Sequence, residues 1–248
     1  MAADERIQLQ LIRLPVSGAA IPTFRLAETR CPYFHDRWSG SRVVVAHIPS
    51  SEQYQEMMDM GFRRSGDVFY RPECASCAAC IPIRVPVAEF RASRSQRRAW
   101  RRNADVEVEF AAPHYSDELY ELYERYQEAI HDGVMAATPG DFREMFFESP
   151  IDTLGLYLRL GGRVIGFGIV DVCPQALSSV YFFYDPDLRE RRLGVFSALA
   201  EIEQCRRLER PYWYIGFFVE GCAKMEYKRE FRPSELLDAG GIWRRNGE

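Results

Sequence analysis

Lysine is nearly missing from this chain: Lys224 and Lys228 are the only two, so almost all positive charge sits on arginine. A planar guanidinium that grips two oxygens at once suits phosphate and carboxylate partners better than an ammonium does. Long apolar runs are missing too. None approaches the roughly 18 residues needed to cross a bilayer, and the opening MAADERIQLQ has no apolar core after a basic start. Neither a membrane span nor a secretory leader is therefore expected, and the expected location is the cytoplasm. Histidine is scarce, and His35, His47, His114 and His131 have no metal-like spacing. The seven cysteines are odd in number, with three crowded into CASCAAC. That argues against a secreted disulfide framework and for thiols in a reducing compartment.

What the chain does have is a core-sized apolar share and one concentrated basic stretch. With 248 residues, 47% of them hydrophobic, it can form one large domain or two small ones. From Gly61 to Arg102 it carries ten arginines against three acids, Asp67, Glu73 and Glu89, in a chain whose formal net charge is −4. A strong positive field inside an acidic protein points to an anionic partner, a polyanion or a set of carboxylates.

Residues 1–30 read as a polar lead-in with one short strand, because Pro15, Gly18 and Pro22 oppose a helix. SSEQYQEMMDMG reads as a capped helix ended by Gly61. Phe69 to Tyr70 and Ile81 to Val87 read as strands flanking the cysteine loop, and Ser93 to Asn103 has helical spacing with its arginines on one side. VEVEF alternates like a half-buried strand, and a domain boundary is expected after it, dividing 1–110 from 111–248. Beyond it come a helix over DELYELYERYQEAIHDG and a shorter one over DFREMFFES. The strands LGLYLRL, VIGFGIVDV after a Gly-Gly turn, and LSSVYFFY follow. A helix from Arg191 to Leu208 and the strand PYWYIGFFV come before a short tail. The expected class is α/β (α+β), because this order resembles the GNAT-type N-acetyltransferase fold, here preceded by a smaller mixed domain. Fold alone does not give function. Acyl-CoA enzymes of that fold end their phosphate-binding turn on a small residue, and this chain has Phe196 there, after Arg191, Arg192 and Gly194. That disfavours coenzyme A as the acyl donor.

Several longer strings share one further resemblance. CPY at 31–33, GFRRSGDVFYRP at 61–72, CAACIPIRVPVAEF at 77–90 and SRSQRRAWRRN at 93–103 resemble the N-terminal half of aminoacyl-tRNA-protein transferases. FFYDPDLRERRLGVFSALAEIE and GCAKMEYKREFRPSELL resemble their C-terminal half. The length and the CxxCxxC loop look like the compact bacterial branch, the aspartate/glutamate leucyltransferases, more than the longer eukaryotic arginyltransferases. The resemblance implies transfer of leucine from leucyl-tRNA to the α-amine of proteins beginning with Asp or Glu. That addition marks them for N-end rule degradation through a downstream adaptor and protease. Arginyl transfer, an acyl-CoA-dependent N-acyltransferase and a non-catalytic adaptor for acidic N-termini remain as alternatives.

Candidate roles follow from the chemistry. An acidic acceptor side chain needs cations, and Arg63 and Arg64 with Ser65, Tyr70 and Arg84 are the candidates, unless internal ion pairs consume them. Arg94, Arg97, Arg98, Arg101 and Arg102, with Lys228, are candidates for tRNA phosphates, the plainer reading being a solvated helix face. Asp185 is the candidate to orient or deprotonate the amine, or else simply to cap the turn at DPD. Tyr184 and Tyr227 are candidate donors to oxygen, and Lys224 or Lys228 a candidate positive charge near the oxyanion or the tRNA end. The aminoacyl ester is already activated, so no cofactor is required. Cys74, Cys77 and Cys80 with Cys31 have spacing that permits zinc or an iron-sulfur cluster, or else are small buried thiols. The eukaryotic paired CxxC is broken here by Phe34.

Overall fold

A computed structural model describes residues 9–133 and 137–247; the polar start MAADERIQ, on which the targeting expectation rests, lies outside them. Among the described residues no helix is long and apolar enough to cross a membrane.

The described part of the lead-in forms two paired strands and a third short one at its end, rather than one. β1 (Gln10–Arg13) and β2 (Ala20–Arg25) pair across a turn in which Gly18 has φ +69°, and Leu14 and Ile21 are buried beneath it. A small hairpin of β3 (Thr29–Arg30) and β4 (Trp38–Ser39) holds Cys31 in its loop. β5 (Ser41–Val44) leads to α1 (Ser51–Asp59), which a reciprocal Ser50–Gln53 capping box starts and whose Tyr54, Met57 and Met58 are buried. β6 (Arg63–Ser65) and β7 (Val68–Pro72) turn at Gly66, completing a five-stranded sheet in the order β1-β2-β5-β7-β6.

The rest builds an eight-stranded sheet. Its elements in chain order are β8 (Cys80–Pro86), α2 (Arg94–Arg102), β9 (Glu107–Ala111), α3 (Asp117–His131), α4 (Pro139–Phe147), β10 (Thr153–Leu160), β11 (Arg163–Cys173) and β12 (Ala176–Tyr184). They are followed by α5 (Leu193–Arg207), β13 (Tyr212–Val219), β14 (Glu235–Leu237) and β15 (Trp243–Arg245). The strand order is β15-β14-β8-β13-β12-β11-β10-β9. Gly161 and Gly162, at φ +59° and +82°, make the expected tight turn between β10 and β11.

Three apolar clusters hold the layers together. α5 packs on one face over Ile83, Val85, Leu177 and Trp213. α3 and α4 cover the other through Tyr123, Phe142, Phe146 and Phe183. α1 and the smaller sheet join that second face through Tyr54, Met57, Cys173 and Tyr214. The larger sheet thus draws β8 and β9 from the segment before residue 111, and β8 lies between β13 and β14.

One pairing sets up the site. Every neighbouring pair in the larger sheet is antiparallel except β12 and β13, which run parallel because α5 forms the crossover between them. They pair only at Ala176, Leu177 and Ser178 with Tyr212, Trp213 and Tyr214. Beyond that the two strands part into a fork.

Candidate active site

The 3-10 helix Glu226–Glu230 returns the chain to the fork after β13. It carries Lys228 inward until only 8% of the residue is exposed, and its Nζ donates to the Phe217 carbonyl at 2.9 Å. Gly216 makes room for it. That residue sits at φ +89°, and a Cβ there would stand 3.4 Å from the lysine Nζ. Burial, with the Arg63 charge added, lowers the Lys228 pKa to about 8.

Arg63 approaches from β6 and is 4% exposed. Its Nη1 donates to the Phe62 carbonyl at 2.5 Å and to that of Met58 at 3.2 Å, but Nε and Nη2 are buried with no partner. The guanidinium lies 4.9 Å from the Tyr214 ring centre and 5.6 Å from that of Phe217. Tyr70 adds its ring 6.2 Å from Phe217, and the buried Tyr54 hydroxyl also lacks a partner. Burial holds the Arg63 pKa below the usual guanidinium value. Among the described residues no carboxylate is ion-paired with Arg63 or Lys228. Two buried cations without a counter-ion are costly, which marks an anion site more than a structural one.

The other expected acceptor residues are engaged elsewhere. Arg64 grips both oxygens of buried Asp171, at 2.8 Å and 2.5 Å, and donates to Gly66. Arg84 bonds to Asp59 and Glu235, each at 2.8 Å, and lies between the rings of Tyr212 and Trp243. Ser65 is exposed at the β6–β7 turn. The fork therefore gathers Arg63, Tyr70 and Lys228, the last of which sequence grouped with the tRNA contacts.

At the end of β12 the Asp185 carboxylate is buried and occupied. Arg125 donates to Oδ1 at 2.6 Å, Arg163 to Oδ2 at 2.9 Å, and the Asp187 amide caps onto Oδ1 at 3.1 Å. Tyr184 packs against Tyr126, ring centres 5.1 Å apart. Tyr227 keeps part of its ring in solvent, while burial of its hydroxyl and the nearby Glu201 and Tyr184 push its pKa up to about 12. Lys224 is exposed, close enough to His131 to lower the pKa of that imidazole, which burial lowers first.

Sequence reasoning missed Glu201. This α5 residue is 1% exposed at the point where the strands part, and it accepts from Trp213 Nε1 at 2.7 Å and from the Ser179 hydroxyl at 3.2 Å. Among the described residues no cation is ion-paired with it, and burial raises its pKa to about 8. The signal was available: Glu201 follows Ala198 by three positions and precedes Cys205 by four, on the stripe of α5 that faces the sheet.

α2 lies across the start of α5. A Ser93–Gln96 capping box begins it, Gln96 and Ala99 are its buried residues, and Arg94, Arg97, Arg98, Arg101 and Arg102 are exposed. Among the described residues none of these five is ion-paired with an acid. Asn103 Nδ2 donates to the Arg191 carbonyl at 2.8 Å and Arg192 to the Ser95 hydroxyl at 2.5 Å. Phe196 is buried with its ring centre 5.1 Å from that of Trp100. The helix start that would hold a CoA pyrophosphate is thus crossed by another helix.

Cys31, Cys74, Cys77 and Cys80 line one cavity of about 170 Å3 with Tyr70 and Phe217. Cys77 accepts from Arg37 at 3.4 Å, and burial raises the Cys80 pKa to about 12. Among the described residues no group of three or more His, Cys, Asp or Glu is arranged to hold a metal ion.

Comparison with known proteins agrees with this architecture. Residues 29–98 match the family "Arginine-tRNA-protein transferase, N terminus", and residues 118–238 match its C terminus. An aspartate/glutamate leucyltransferase of Alcanivorax borkumensis is 40% identical over 228 residues, covering 91% of this chain and 94% of the relative. One of Pseudomonas putida is 42% identical over 210 residues, covering 84% and 89%. Among solved structures, the C-terminal domain of an Agrobacterium fabrum protein described as a "Putative Lysylphosphatidylglycerol Synthetase" aligns with a TM-score of 0.53 at 12% identity, covering 96% of this chain and 84% of that one. FemX aligns with a TM-score of 0.52 at 8% identity, covering 93% and 86%. These two share the fold alone, a GNAT-like acyltransferase architecture. Matched in both halves by one family and across most of its length by relatives near 40% identity, the chain belongs to the aminoacyl-tRNA-protein transferases, in the group of aspartate/glutamate leucyltransferases.

Proposed function

We propose that this protein transfers leucine from leucyl-tRNA to the α-amine of proteins beginning with Asp or Glu. The name of its relatives supports the reaction, and Arg63 supports the acceptor. A buried guanidinium with two unpartnered donors, beside a second buried cation, is completed by an incoming carboxylate. Arg63 and Lys228 are the residues assigned to that side chain, with Tyr70 at the margin.

The reaction needs little from the protein beyond placement, because the aminoacyl ester is activated. The acceptor ammonium gives up a proton, its nitrogen adds to the ester carbonyl, the ribose oxygen departs with a proton, and an amide remains. Glu201 is the proposed proton acceptor, relayed through Ser179: burial raises its pKa to about 8, close to an α-amine, so its ionised fraction, which grows as pH rises toward that value, takes the proton. Tyr227 and Tyr184 are proposed to donate to the carbonyl and ribose oxygens. Asp185, held by two arginines, is assigned to keeping the end of β12 in place. Arg94, Arg97, Arg98, Arg101 and Arg102 are proposed to hold tRNA phosphates, with Lys224 near the 3′ end.

The proposed step requires no cofactor because the ester is already activated; the residues that would hold zinc or an iron-sulfur cluster are Cys31, Cys74, Cys77 and Cys80, which line one cavity. Because charged tRNA is a cytoplasmic reagent, the reaction belongs there, and an adaptor and protease reading the new N-terminus would act on its product. The test is incubation of the purified protein with an Asp-initiated peptide, tRNA and each labelled amino acid with its synthetase. Leucine incorporation is expected. Arginine-only incorporation overturns the donor, acetyl-CoA turnover overturns the tRNA, and peptide binding without modification overturns catalysis.

A further inference from the structure

The groove between α2 and α5 is outside the acceptor pocket and the transfer chemistry, although two of the arginines proposed for tRNA phosphates, Arg97 and Arg101, line it. It encloses about 290 Å3 over an apolar floor of Phe90, Ala92, Leu199 and Ile202. Trp100 forms a wall with 41% of its surface exposed, although its ring is braced against Phe196. Arg97, Arg101 and Arg206 surround the opening. The acid among the lining residues, Glu203, is paired with Arg206, so the groove keeps a net positive rim.

An apolar slot with an indole wall and guanidinium groups at its edge fits a flat ring tethered to anions. That is the chemistry of a base in single-stranded nucleic acid, whose face stacks on an aromatic ring while its phosphates meet the cations. A purely apolar ligand would fill the floor and leave Arg97 and Arg101 without a counter-ion.

Position adds a second reason. α2 is tied to the fork near its start: Gln96 Nε2 donates to the Glu230 carbonyl at 3.3 Å, on the segment that carries Tyr227 and Lys228, while at its other end Asn103 is bonded to Arg191, just before α5. At 1.5 Å per residue the helix is about 13 Å long. The groove therefore lies within about one short helix length of the fork.

We propose that the α2–α5 groove binds an unpaired nucleobase of the tRNA 3′ end, stacked on Trp100 with flanking phosphates on Arg97 and Arg101. This rests on the aminoacyl-tRNA reading and adds to it a hold on the single strand, separate from the attraction of the helix for a stem. The test compares two RNAs at one salt concentration on the full chain: an acceptor-stem hairpin ending in unpaired CCA, and the same stem cut blunt. Wild type binds the first more tightly. Trp100→Ala loses roughly tenfold affinity for the CCA-ended RNA and none for the blunt one, while Trp100→Phe keeps most of the difference. Ala92→Leu, which narrows the groove without touching a charge, acts as Trp100→Ala does, and melting curves show that each variant folds. Equal losses on both RNAs, or CCA-end binding unchanged in both Trp100→Ala and Ala92→Leu, overturn the site. Failure of wild type to bind either RNA overturns the tRNA reading itself.

Discussion

Arg63 and Lys228 share one residue: the lysine Nζ donates to the Phe217 carbonyl at 2.9 Å, and the arginine lies 5.6 Å from the centre of the Phe217 ring. They arrive from different sheets, the arginine on β6 and the lysine behind β13, and neither is ion-paired with a carboxylate among the described residues. An anion brought to this point meets both.

Arg63 and Arg64 are adjacent in sequence yet should behave oppositely. Arg63→Ala is expected to raise the KM for an Asp-initiated peptide by roughly ten- to a hundredfold, as loss of a charge-assisted contact does, with little change in thermal stability. Arg64→Ala strands the buried Asp171 carboxylate, and a loss of about 3–5 kcal/mol is expected. Steady-state kinetics beside melting curves separate the two.

Acceptor binding should weaken in alkali. With the Lys228 pKa lowered to about 8, the ammonium is increasingly lost as pH rises past that value. The KM for the acidic peptide should climb there, and Lys228→Arg should carry the plateau to higher pH. The acceptor α-amine and Glu201 titrate in the same range, so the difference between wild type and Lys228→Arg, rather than the wild-type profile alone, reports the side-chain pocket.

Glu201 supplies a stability test with a definite sign. Its folded pKa of about 8 lies above the ordinary 4.5, so between those values the unfolded chain binds fewer protons than the folded one. This group's contribution therefore falls as pH rises from about 4.5 to about 8. Glu201→Gln should remove that part of the slope in Tm against pH while slowing transfer by about 10²-fold or more. A Gln variant with full activity sinks the proton-acceptor role.

Reversing charge on α2 should touch the other substrate. Arg97→Glu with Arg98→Glu is expected to weaken tRNA use and to reduce the slope of log affinity against log salt by roughly one per lost phosphate contact. Peptide KM should stay unchanged; an equal effect on peptide contradicts the division between the two arginine groups.

The local parts of this architecture were legible in the chain. The apolar spacing of SSEQYQEMMDMG and the helical spacing of Ser93 to Asn103 announced helices that run over Ser51–Asp59 and Arg94–Arg102, and Gly161–Gly162 announced its turn. β1 and β15, of four and three residues, are edge strands, where little apolar patterning is required, and β5 and β14 are too short to show an alternation. The insertion of β8 between β13 and β14 is a long-range pairing that no local pattern encodes. The same limit applied to the arginines. Arg64 finds Asp171 and Arg84 finds Glu235 far along the chain, so which cation stays free was a property of the packed fold. Glu201 stands in an otherwise apolar helix stripe with no motif around it, whereas the conspicuous YFFYD strand end carries Asp185, which is taken up by Arg125 and Arg163.

The most direct measurement is leucine transfer from leucyl-tRNA to two peptides differing only in an N-terminal Asp or Asn, with wild-type protein and Arg63→Ala. Wild type should prefer Asp strongly in kcat/KM, and Arg63→Ala should bring the two peptides close together while still using leucyl-tRNA. A variant that keeps the full preference for Asp contradicts the assignment of the acidic side chain to Arg63.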